Sequence, residues 1–180
     1  MKSYEEMSEE EIRAFGEKLK REREERIIFN KRCNEIIEMY NKGNLAELDV
    51  FWHTDKKDID FTLQREQLDF ELLENGYTLI ESVDMEKVLD SMQDGNPQLY
   101  REKQLFHDDW NDWKICSIID YWLRKEKLIP PSIIWNDMLN KTYVAEGKHR
   151  FNVAYYYGEK TIPIIVPNKH YEQVYKLIFE

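Results

Sequence analysis

Two glycines eleven positions apart, Gly147 and Gly158, cut the last third of this 180-residue chain into strand, helix and strand. Residues 141–145 have the β-branched and aromatic content of a strand, residues 149–157 read as a helix that Gly158 closes, and residues 161–166, Thr-Ile-Pro-Ile-Ile-Val, read as a strand again. Upstream, residues 77–83 and 132–135 read as further strands, the second joined to residues 141–145 by a turn at Asn136-Asp137. A helix that starts between residues 109 and 112 and runs to 125, burying Ile115, Ile118, Ile119 and Trp122, ends before Pro130-Pro131, and a last helix covers residues 171–179. The pattern predicts an α+β fold: a small mixed sheet with flanking helices over residues 77–180.

Residues 1–76 read as a helical N-terminal extension. From residue 8 to 42 the apolar residues Ile12, Phe15, Leu19, Phe29, Cys33, Ile36, Ile37 and Tyr40 recur mostly at three- and four-residue steps along one side of one long helix, or of two in line. Ser8 followed by Glu11 is a capping-box pattern, and Gly43 is the stop. The centre of this helix, residues 18–26, is polar nearly all round, which predicts a solvated span and an arm that could meet a protein partner. A second helix is expected over residues 58–74, with Phe61, Leu68 and Leu72 as its stripe.

Charge narrows the partners. Residues 45–112 carry 6 basic and 18 acidic side chains, whereas residues 113–180 carry 10 and 7. A chain that grips nucleic acid without sequence preference needs a broad basic face. The acidic middle argues against that, and the mildly basic end suits a small anionic ligand. No stretch approaches the roughly 20 apolar residues of a membrane span, and the N-terminus lacks the apolar run of a secretion signal. A cytoplasmic location is the expectation. The two cysteines, Cys33 and Cys116, form no Cys-x-x-Cys pair and read as reduced packing residues.

The chemistry concentrates in Glu146-Gly147-Lys148-His149-Arg150. A strand passing through glycine into a helix presents unpaired backbone N–H groups at the positive end of a helix dipole, and glycine lets an anion come close. Basic residues are badly placed at that end by themselves, so His149 and Arg150 make better sense with an anion between them. On spacing alone, solvated side chains of a surface turn remain the alternative.

The run from Glu146 to Ala154, then Gly158, then residues 161–166, resembles the signature of the ParB/sulfiredoxin superfamily: Gly-x-His-Arg, a helix ending in glycine, and a strand containing Ile-Pro. Asn96-Pro97 with Arg101, the helix from Asp112, and Leu128-Ile129-Pro130-Pro131 follow the same order, so the resemblance covers about residues 77–167. It implies that the Gly147–Arg150 turn binds nucleotide phosphates, of ATP, CTP or ADP, with Mg2+ accompanying them. Sulfiredoxins place a lysine, a serine and a threonine on an upstream helix; here Lys114, Ser117 and Tyr121 fall at those spacings, the tyrosine being a departure. The sulfiredoxin cysteine position is Lys148, which speaks against sulfinic acid repair, and no helix-turn-helix follows as in partitioning proteins.

Three functions compete. The first is a nucleotide-dependent phosphotransferase or nucleotidase in which Gly147, Lys148, His149, Arg150, Lys114 and Ser117 hold phosphates and Glu146 or Glu86 is the acid/base. The second is a non-catalytic, nucleotide-gated or DNA-associated interaction module. The third is a ParB-like nuclease, against which the acidic middle counts. His107-Asp108-Asp109 with Asp112 could ligate a divalent ion, or simply form an acidic helix start.

Overall fold

A computed structural model describes residues 8–59, 75–94, 96, 105–106 and 111–180. The first helix, α1 (Glu9–Asn41), is continuous over 33 residues. Its capping box is formed: Glu11 N–H donates to Ser8 Oγ at 3.2 Å, and Ser8 N–H donates to the Glu11 carboxylate at 2.7 Å. The polar centre is exposed throughout, as the pattern required. The helix expected over residues 58–74 falls almost wholly outside the described residues, as do His107, Asp108 and Asp109.

Four strands, β1 (Tyr77–Asp84), β2 (Ser132–Asn136), β3 (Lys141–Glu146) and β4 (Thr161–Pro167), form one mixed sheet in the order β1-β4-β2-β3. β1 runs antiparallel to β4, β2 and β3 form an antiparallel hairpin, and β2 lies parallel to β4. Among the described residues the remaining α-helices are α2 (Met85–Ser91), α3 (Asp112–Leu123), α4 (Lys148–Tyr156) and α5 (Tyr171–Phe179). The architecture is thus α+β, with α4 carrying the chain from the outer strand β3 past β2 to β4. α2 is the element the sequence pattern did not announce. Asp84 ends β1 and at once caps α2, its carboxylate accepting from the N–H groups of Glu86 at 2.9 Å and Lys87 at 3.3 Å.

Alternation along β4 divides the core. Ile162, Ile164 and Val166 pack with Val83, Ile133, Val144, Phe151 and the α2 and α5 side chains, whereas Ile165 turns to Ile59 and Ile129. A further cluster joins α3 (Ile115, Cys116, Ile118, Ile119, Trp122) to Val153 and Ala154 of α4 and to Cys33, Ile36 and Leu45. Residues of the expected N-terminal extension therefore contribute to the same core as the C-terminal part. Trp122 Nε1 donates to the Phe51 carbonyl at 3.0 Å, and the Trp52 and Trp122 rings meet edge to face at 5.4 Å.

The outer edge of β3, which leads into the glycine turn, is held rather than open. Gln93 N–H donates to the Thr142 carbonyl at 2.9 Å, Val144 N–H donates to Asn96 Oδ1 at 3.0 Å, and the Ser91 and Thr142 hydroxyls share a buried hydrogen bond of 2.7 Å. Covering an edge in this way blocks strand addition and fixes where β3 ends.

Candidate phosphate-binding turn

β3 ends at Glu146, opposite Ser132 in the hairpin register, and the chain turns at Gly147 with φ 83° and ψ 22°. Only glycine adopts this left-handed conformation without strain. The first helical hydrogen bond follows directly, from Phe151 N–H to the Gly147 carbonyl at 2.9 Å. α4 begins at Lys148, its N-cap residue Gly147 has no side chain to offer as a cap, and its first turn holds no acidic residue. Lys148 is exposed, His149 half-buried and Arg150 only 8% exposed.

Arg150 does not extend into solvent. A Cβ at position 147 would meet Arg150 Nη2 at 2.8 Å, Pro131 Cα at 3.0 Å and Arg150 Nε at 3.1 Å. The guanidinium has folded back against the inner side of the turn, into the space a side chain on residue 147 would fill. Glycine is thus required twice over, by its backbone angle and by the group packed on it. A buried cation at the positive end of a helix is costly unless it has counter-groups. Glu146, His149 and Arg150 are each engaged in interactions within the fold. The turn therefore combines one exposed cation, Lys148, with an internal one behind the backbone.

The other expected site residues lie elsewhere. Glu86 is exposed at the start of α2 and accepts from the Tyr155 hydroxyl at 3.1 Å. Tyr155 is seven residues past Lys148, about 10 Å farther along α4 at 1.5 Å per residue, so Glu86 serves the opposite end of that helix. Lys114 and Ser117 are half-buried on α3, and the Lys114 ammonium lies 5.5 Å from the centroid of the Trp113 ring. Among the described residues neither makes a hydrogen bond or ion pair with the turn. α3 meets α4 through Val153 and Ala154, a turn or more beyond Lys148. Tyr121, third in that spacing, is partly exposed beneath Arg124, whose guanidinium sits 5.0 Å from its ring centroid.

Three adjacent tyrosines, Tyr155 to Tyr157, have separate tasks. Tyr155 holds Glu86, Tyr156 hydrogen-bonds to the Tyr40 hydroxyl at 3.0 Å, and the Tyr157 hydroxyl is buried with no hydrogen-bond partner. Burial first, and then the hydrogen bond with Tyr40, pushes Tyr156 up to about 12, and burial pushes Tyr157 higher still. Asn152, 5% exposed, keeps its Oδ1 without a hydrogen-bond partner one turn into α4. A polar residue amid Phe151, Val153 and Ala154 was its only sequence signal.

Gly147 itself is buried against Arg150 and Pro131, and Lys148 is the cation of the turn that reaches solvent. With His107, Asp108 and Asp109 outside the described residues, no group of three His, Cys, Asp or Glu side chains is gathered among those that are described. Nor, among them, is any helix long and apolar enough to cross a membrane. Comparison of the chain with family models, with curated proteins and with solved structures finds no match.

Proposed function

We propose that the Gly147–Arg150 turn binds the phosphates of a nucleotide, ATP, CTP or ADP, in a cytoplasmic protein of ParB/sulfiredoxin type. The observation that carries this reading is the start of α4: left-handed Gly147 at the N-cap, no acid in the first turn, and Lys148 exposed beside it. Backbone donors at a helix N-terminus and a nearby ammonium are complementary to phosphate, and the internal Arg150 charge adds to the field. The strand-glycine-helix-glycine-strand order that resembles the superfamily supports the same assignment.

Within that reading the binding module is favoured over the phosphotransferase or nucleotidase, and over the nuclease. Phosphoryl transfer needs groups positioned on the transferring phosphate. Of the two candidate acids, Glu86 is committed to Tyr155 at the far end of α4, which leaves Glu146 as the acid/base if turnover occurs. Mg2+ would then arrive with the nucleotide.

Calorimetric titration of ATP, CTP and ADP, with and without Mg2+, tests the proposal on wild type and Lys148→Glu. Because Lys148 is exposed, the variant should keep its melting temperature while affinity falls at least 10-fold, the loss of a charge-assisted contact of about 1.5–3 kcal/mol. A ligand at 100 times its dissociation constant should stabilise wild type by about 2.7 kcal/mol. No binding, or equal affinity in the two proteins, overturns the reading, and phosphate release during the titration would restore the enzyme.

A further inference from the structure

The two cysteines of the chain are 83 positions apart in sequence, yet the Cys116 thiol reaches the backbone of Cys33. Cys33 lies in the second half of α1 and Cys116 in the first half of α3, both buried in the cluster where these helices meet. Cys116 Sγ is 3.7 Å from the Cys33 carbonyl oxygen. The same seam is pinned from outside by Arg32, whose Nε donates to Asp120 at 2.7 Å. We infer that Cys33 and Cys116 form an oxidation site, in which a small-molecule disulfide such as oxidised glutathione converts the pair into an intramolecular disulfide that staples α1 to α3.

The chemistry balances as two thiol–disulfide exchanges. Cys33, 8% exposed, gives the nearer approach from solvent, while Cys116 is fully buried. The Cys33 sulfur attacks one glutathione sulfur, forming a mixed disulfide and expelling the other glutathione as a thiol. The Cys116 sulfur then attacks the Cys33 sulfur of that mixed disulfide, forming the Cys33–Cys116 bond and expelling the second glutathione. Two electrons pass from the protein to the glutathione disulfide, and the two protons lost by the cysteines end on the two glutathione thiols. Burial raises both thiols above their ordinary range, so both rest protonated and exchange awaits opening of the seam.

The consequence reaches past the seam. Cys33, Cys116, Val153 and Ala154 belong to one cluster, so the staple would stiffen the layer against which α4 and its glycine turn are seated. Closing a loop of this length constrains the unfolded chain strongly, and for a chain of this size the effect should appear as a rise in Tm of roughly 10 °C.

The test uses the full chain incubated for hours with oxidised glutathione, quenched with iodoacetamide, and read by intact mass, non-reducing electrophoresis and thermal melting. Wild type should become a monomer that lacks two hydrogens and takes no iodoacetamide, with a raised Tm that dithiothreitol reverses. Cys33→Ala and Cys116→Ala should show neither the mass change nor the rise. Two alkylatable thiols after incubation, stable glutathione adducts, disulfide-linked dimers alone, or a disulfide that leaves Tm unchanged or lowers it would each overturn the inference.

Discussion

Gly147 and Gly158 bracket α4 with nearly the same backbone angle, φ 83° and 84°, yet their surroundings differ. At Gly158 nothing lies within 4 Å of an added Cβ, so Gly158→Ala meets only the left-handed penalty, about 1–2 kcal/mol. At Gly147 the same methyl group would run into the Arg150 guanidinium and the Pro131 backbone. Moving a buried charge adds to the strain, and Gly147→Ala should lose about 3 kcal/mol or more. Urea denaturation of the two variants compares them, and equal midpoints would mean that Arg150 swings away freely. Arg150 also shows where the sequence stopped being legible. Its place in a Gly-x-His-Arg turn pointed to an anion site, but spacing does not reveal a guanidinium folded inward on its own turn.

Individual elements follow local rules wherever a single period or cap dominates. The capping box at Ser8, the hairpin around Asn136-Asp137 and the α4 helix ending at a glycine were readable because turn chemistry and hydrophobic period agreed there. α2 was not, since its seven residues start where β1 stops and one residue, Asp84, serves both: it pairs with Thr161 in the sheet and caps the helix. Replacing Asp84 with alanine should cost about 1 kcal/mol through the two lost backbone contacts. Hydrogen exchange should then quicken at Glu86 and Lys87 before it does in β4, and unchanged protection at those two amides would show that the cap contributes nothing. The site residues on α3 were legible as a spacing only, because a shared helical face says nothing about which neighbour that face meets.

At the scale of the whole molecule, α1 divides into two halves with different standing. A 33-residue helix is about 50 Å long, several times the roughly 13 Å radius of gyration of a hundred-residue domain, and residues 13–28 are exposed all round. Beyond them Cys33, Ile36 and Leu45 enter the cluster around Trp122, and Phe51 takes the Trp122 N–H. The polar centre at residues 18–26 was legible as solvated, but Phe15 and Leu19 continue the apolar stripe while staying exposed, so the pattern alone did not say which half meets the core. Deleting residues 1–28 should therefore move Tm by only a few degrees. Deleting residues 1–52 should prevent folding, because each large apolar side chain withdrawn from the cluster forfeits about 1.5–3 kcal/mol, and several together approach the whole 5–15 kcal/mol that holds a domain folded. Circular dichroism melts and size-exclusion profiles of the two truncations distinguish the halves. If residues 53–180 alone melt cooperatively near the full-length temperature, the second half of α1 is an accessory layer and the α3–α4 core is complete without it.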